Sequence, residues 1–196
     1  AWIDMSTDFL SEIQRDALQE IVNISMGQAA DSLARLIETH VQLSIPHITH
    51  TKSEDFLNLL TTQQQHLAQQ SFWGELNGEM ISLISDSGCD ALGELMQYDS
   101  PLGEQDIEEL VLELTNILAG ACLQGLTTQL GFKTHLAAPT LLTMHTWSAE
   151  HLTWQQALLI EVSFVLTNSD FQSRVLFCLQ QDSVDPLTSQ LDLLLQ

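Results

Sequence analysis

From Phe9 to about Glu38 the apolar residues fall into two helical rows. Leu10, Ile13, Ala17, Ile21 and Ile24 form one, and Leu18, Val22, Ala29, Leu33 and Leu36 the other. Rows at three- and four-residue spacing predict one long helix with a broad buried face, and Ser6, Thr7 or Asp8 could cap it. The period then shortens to two over Val41–Pro46, the mark of a half-buried strand. Pro46 removes a ladder donor and points to a sheet edge or a bulge. Residues 53–65 read as a polar connector. Leu67–Leu76 and Gly78–Ser85 read as a hairpin around Leu76-Asn77-Gly78, and Ser87–Gln97 as a short amphipathic helix capped by Ser87.

The order then repeats. Ser100-Pro101 suits a helix start with proline in the first turn, and Gly131 suits its end, predicting a helix over Leu102–Leu130. Strand-like segments follow at Lys133–Met144, Ala157–Thr167 and Gln172–Gln180. A last helix begins near Pro186, with Leu187, Leu191, Leu194 and Leu195 on one side. Three strands in each half and two long helices predict an α+β fold: a six-stranded antiparallel sheet with the long helices packed on it. Residues 1–8 read as an N-terminal arm, and 9–196 as one domain built of two half-repeats, 9–99 and 100–196.

A polar stripe makes the repetition specific. Asp16, Glu20, Asn23 and Gly27 are spaced four, three and four apart, which places them on one side of the first helix. Glu109, Glu113, Asn116 and Gly120 do the same on the second. In each copy 22 residues separate the asparagine from a proline, and one offset of 93 positions relates Glu20 to Glu113, Asn23 to Asn116 and Pro46 to Pro139. Self-similarity at a fixed offset predicts a duplicated, pseudo-two-fold unit. A single Glu-x-x-Asn on a helix is ordinarily a solvated face. Two matching stripes, each continued by a mid-helix glycine that costs about 1 kcal/mol against alanine, ask for more than solvation. Either another surface approaches there, or the two long helices pack together there.

Charge narrows the partners. The chain has 196 residues, with 5 basic against 26 acidic side chains and a net charge of −21. That balance removes the electrostatic attraction behind nucleic-acid and anionic-membrane binding, and favours a protein partner with exposed lysine or arginine. Cys89, Cys122 and Cys178 are odd in number, widely spaced and set in apolar surroundings, which predicts buried reduced thiols and a cytoplasmic location. No uninterrupted apolar run approaches the roughly 20 residues that span a bilayer, so no membrane insertion is expected. His47 and His50 point to opposite faces of a strand and no ligand cluster completes them, so no intrinsic metal is expected. The four tryptophans, Trp2, Trp73, Trp147 and Trp154, read as core or edge aromatics.

A carboxamide can hold a water in line for attack without taking its proton, and a carboxylate one turn away can pair with a partner's lysine. Alone they make no complete active site; they suit insertion into another protein's site. The pattern Asp16-x3-Glu20-x2-Asn23-x22-Pro46 and its second copy resemble the CheC/CheX/FliY family of chemotaxis phosphatases. The resemblance runs from about Leu10 onward. It implies hydrolysis of the aspartyl-phosphate of a CheY-type response regulator, with Asn23 and Asn116 orienting water and Glu20 and Glu113 pairing with a regulator lysine. It also implies that Mg²⁺ belongs to the regulator, and that another chemotaxis protein could be a further partner. Glu109 stands where the family has Asp or Ser, so the first copy matches more fully. The alternative is a non-catalytic adaptor or flagellar-switch-like module that binds receiver or chemoreceptor-associated proteins.

Overall fold

The computed structural model describes residues 9–61, 65–142, 154, 156–167, 169 and 171–196. The helices are α1 (Glu12–Ile37), α2 (Ser53–Thr61), α3 (Asp86–Leu95), α4 (Glu104–Leu130) and α5 (Val184–Leu194). The strands are β1 (Val41–Leu43), β2 (His47–Lys52), β3 (Gln65–Gly74), β4 (Gly78–Ser85), β5 (Thr134–Leu136), β6 (Thr140–Leu142), β7 (Gln156–Leu166) and β8 (Gln172–Gln180). The fold is α+β, and every strand pairing in its sheet is antiparallel.

Six strands were expected and eight are found among the described residues, because each edge strand is broken at the motif proline. β1 and β2 both pair with β7, on either side of Pro46; β5 and β6 both pair with β3, on either side of Pro139. The order β1-β7-β8-β4-β3-β5 therefore reads alike from both edges. Each edge comes from one half of the chain and lies on a strand from the other. β1 and β2 sit on β7, and β5 and β6 on β3, so residues 9–99 and 100–196 interlock through the sheet.

Both long helices lie on one side of this sheet. Leu18, Val22, Met26, Ala29 and Leu33 of α1 join Leu110, Leu114, Leu118, Cys122 and Leu126 of α4, with Phe72, Met80, Phe164 and Phe177 from the strands, in one apolar core. Lateral contacts pair Ile21 with Gln129, Ser25 with Gly125 and Met26 with Cys122, so the helices run antiparallel. The opposite sheet face is covered by α2, whose Phe56 and Leu60 pack on Ile81, Leu83, Leu159 and Leu176. By length and composition α4 is apolar enough to cross a bilayer, yet its apolar side is buried against α1 and the sheet.

Several boundaries differ from the sequence-based expectation, each for a local reason. Helix α1 starts at Glu12 and is capped by Ser11: Gln14 N donates to Ser11 Oγ at 3.2 Å, and Ser11 N to Gln14 Oε1 at 2.9 Å, a reciprocal capping box. Helix α3 is capped by Ser85, whose Oγ accepts from Gly88 N at 3.1 Å. Helix α4 begins after the cis Ser100–Pro101 peptide, where Asp106 Oδ2 accepts from Gly103 N at 2.9 Å. Part of the connector expected over 53–65 is α2, an amphipathic turn sequence whose two core residues lie four apart. Gly131 ends α4 as expected, in the left-handed region at φ 73°. The arm 1–8, Trp2, Trp147 and the end of the strand expected over Lys133–Met144 lie outside the described residues.

The first apolar row of α1 is only partly core. Ile13 is 66% exposed and Ile24 45%, and Leu36 of the second row is also exposed. One side of α1 rests on the protein, so a band covering more than that side leaves its margin in water. Cys89, Cys122 and Cys178 are buried free thiols. Burial pushes the Cys89 thiol up to about 12 and raises the other two as well, so all three are protonated at neutral pH. Trp154 is buried against Phe56, whereas Trp73 lies half-exposed near the end of β3, beside His135 of the edge strand β5.

Candidate functional site: two outward helix stripes

Asp16, Glu20 and Asn23 are all exposed on α1, as are Glu109, Glu113 and Asn116 on α4. Each stripe thus faces away from the core on a two-helix layer whose inner sides are fixed by packing. A rigid helix supplies the spacing; the side chains supply reach.

The two glycines decide between the accounts left open by the sequence. A Cβ added at Gly27 or Gly120 would meet no neighbouring atom within 4 Å, so neither glycine is there to let α1 and α4 approach. That task falls to Gly125, which the stripe pattern did not mark. A Cβ there would lie 2.6 Å from Gln28 Oε1 and 3.0 Å from the Ser25 Cα. Gly27 and Gly120 instead extend each stripe as a low, open floor next to the carboxamide.

The spacing to proline also has a structural meaning. Where the edge strand breaks, carbonyl groups leave the ladder beside the helix. At the first break Gln19 Nε2, from α1, donates to the Pro46 carbonyl at 3.0 Å. At the second, Gln70 Nε2, from β3, donates to the Ala137 carbonyl at 2.9 Å. The breaks themselves are held alike: Ser44 N donates to Ser163 O and Ala137 N to Ser71 O, both at 2.9 Å.

The surroundings of the stripes differ. Around the first, Ile13, Ile24 and Ile45 are exposed, Ile45 by 74%, giving an apolar fringe. Around the second, Asp106 takes the place of Ile13, and the half-buried Tyr98 comes near. Burial, then the charges of Glu113, Glu109 and Asp106, raise the Tyr98 phenol, which stays a hydrogen-bond donor at neutral pH. Asn116 Oδ1 accepts from Gln70 Nε2 at 3.0 Å. Among the described residues no hydrogen bond holds Asn23. Neither Gln70 nor Tyr98 was singled out from the sequence: a buried glutamine in a strand carries no local signal, and Tyr98 precedes the helix whose stripe it joins.

Among the described residues no group of three or more His, Cys, Asp or Glu side chains could hold a metal ion. His50 is committed to Phe9, edge-on at 4.4 Å between ring centroids, and to Gln156 Oε1 at 3.0 Å.

The fold is an α+β layer that exposes two polar helix stripes. Comparison with known proteins places it more narrowly. The CheC-like family matches residues 13–50, from the first stripe through the break at Pro46. The flagellar motor switch phosphatase FliY of Bacillus subtilis (strain 168) is 26% identical over 139 residues, which cover 67% of this chain and 36% of that protein. The chain thus spans about a third of that relative's length. Thermotoga maritima FliY superposes with a TM-score of 0.75 at 16% identity, over 93% of this chain and 98% of that one. The FliM middle domain from H. pylori superposes with a TM-score of 0.66 at 10% identity, over 92% and 99%. The resemblance to the CheC-like family therefore holds in the first motif and in the fold.

Proposed function

We propose that this chain is a CheC-like phosphatase that acts on the aspartyl-phosphate of a CheY-type receiver domain in the cytoplasm. The observation that carries the proposal is the openness of both Glu-x-x-Asn stripes: the Glu and Asn of each are exposed, Asn116 with only its oxygen turned to Gln70, and an unobstructed glycine floor lies beside them. Such a surface is suited to entering a partner's concave site.

In this reading Glu20 or Glu113 pairs with a lysine of the receiver and fixes the register of docking. Asn23 or Asn116 then holds a water in line with the phosphorus. The water oxygen forms a bond to phosphorus as the bond from phosphorus to the aspartyl oxygen breaks. The bonding pair leaves with the regenerated carboxylate, and the water's proton passes to the departing inorganic phosphate. Mg²⁺ is the receiver's own and neutralises charge on the phosphoryl oxygens. The chain's contribution is orientation of the nucleophile.

The likeness to a FliM middle domain favours a second reading, a flagellar-switch-like module that binds receiver or chemoreceptor-associated proteins without hydrolysis. Decay of a phosphorylated receiver domain separates the two. A phosphatase accelerates it, and Asn23→Ala with Asn116→Ala abolishes the acceleration; a binding module forms the complex and leaves decay unchanged or slower.

A further inference from the structure

Gln70 is 1% exposed in the centre of β3, on the core side of the sheet. Its two amide hydrogens are both committed, one to the Ala137 carbonyl at 2.9 Å and one to Asn116 Oδ1 at 3.0 Å. The Ala137 carbonyl can only accept, which fixes which end of the Gln70 amide points there. The opposite atom, Oε1, is buried without a hydrogen-bond partner. Leaving a buried carbonyl oxygen unmatched is unfavourable, and an apolar residue at this position would avoid it.

The other edge shows that the fold accepts such a residue. Gln69 pairs with Thr140 and Phe72 with Leu136; 93 positions earlier, His47 pairs with Glu161 and Leu43 with Phe164. The position matching Gln70 is therefore Val162, fully buried in the same core. The first stripe has no buried amide behind it, and Asn23 is unheld among the described residues.

From this asymmetry we infer that Gln70 is a positioning residue for Asn116. It anchors the carboxamide oxygen inward, so that Nδ2 faces the partner with both hydrogens. A water seated there accepts one N–H and keeps a second lone pair for attack. The second stripe is thus set before docking, whereas Asn23 must be ordered during it. This inference rests on the proposed hydrolysis for its catalytic consequence, but its structural half stands apart from it.

The two halves are tested separately. Side-chain ¹⁵N relaxation reads the structural half: Asn116 is expected to be more ordered than Asn23, and Gln70→Val to reduce Asn116 to the level of Asn23. Equal order in the parent, or no change in the variant, overturns the proposal whether or not the protein is a phosphatase. The catalytic half uses the Asn23→Ala background, where only the second stripe can act. There Gln70→Val is expected to lower kcat about three- to tenfold with KM unchanged. Gln70→Leu, which has no donor at all, is expected to do the same. An unchanged kcat overturns the inference, and so does an equal loss in the Asn116→Ala background, which would mark general damage to the fold. If the parent chain does not hydrolyse the acyl phosphate at all, the proposed function fails and the relaxation experiment alone decides the role of Gln70.

Discussion

Gln19 Nε2 donates to the Pro46 carbonyl oxygen at 3.0 Å, tying the helix that carries the first stripe to the break in the edge strand. In the first copy the bond fixes where the proline lies relative to the asparagine's helix. Twenty-two residues complete α1, turn, and form three paired residues of β1 before the break, which returns the chain to the level of Gln19. At the second break the same carbonyl region is met from the sheet side by Gln70. Each stripe is therefore held against an edge of the sheet.

The glycine floor gives the first prediction. Gly27→Ala and Gly120→Ala should each stabilise the fold by up to about 1 kcal/mol, because helix propensity improves and the new methyl meets nothing. The same substitutions should weaken the complex with a receiver domain. Gly125→Ala should instead destabilise by about 1–3 kcal/mol, since its methyl must displace Gln28 and press on the Ser25 backbone. Urea denaturation with a binding titration separates these effects. Undiminished binding by the first two variants would remove the clearance role.

Docking through Glu20 and Glu113 should show in its response to salt. Both side chains are exposed, so each pair they form with a partner lysine is modest. Glu20→Gln and Glu113→Gln should each weaken receiver binding about two- to fivefold at low ionic strength, and flatten the dependence of affinity on salt. A steep dependence retained in the double variant would place the electrostatic contact elsewhere on this acidic surface.

Glu79 predicts a pH effect away from the stripes. Burial pushes its carboxyl above the usual 4.5, partly offset by a hydrogen bond from Gln69, and Oε2 is buried without a partner. A folded-state value above the unfolded one stabilises the protein below pH 4.5, and that stabilisation is lost as the pH rises through the folded value. Glu79→Gln should therefore be more stable than the parent at neutral pH, with its advantage shrinking towards pH 4.5. Chemical denaturation across that range measures the difference.

The parts of this architecture that repeat were open to sequence reading. Both long helices, the six sheet positions and the two stripes follow from periodicity and the 93-residue offset, because each element depends on a pattern many residues long. What was hidden rests on single residues or distant partners. Ser11 caps α1, although Ser6, Thr7 and Asp8 are capping residue types too, and only Gln14 three residues later distinguishes it. Helix α2 is short enough for its polar composition to mask Phe56 and Leu60. Gly125 and Gln70 act on elements far away in the chain, so their roles appear only once α1 meets α4 and β3 passes beneath Asn116. The sequence ranked the first stripe above the second because Asp16 fits the family pattern and Glu109 does not. The structure adds a contrary consideration: the second stripe has the anchored carboxamide.

The central claim is tested most directly by the lifetime of a phosphorylated CheY-type receiver domain, followed by release of inorganic phosphate. The parent chain should shorten that lifetime. Asn23→Ala and Asn116→Ala should each reduce the effect, and the double variant should return the receiver to its intrinsic rate while still forming the complex. Acceleration that survives unchanged in the double variant would contradict the assignment of the two asparagines, and complex formation by the parent without acceleration across a panel of receivers would contradict the phosphatase reading itself.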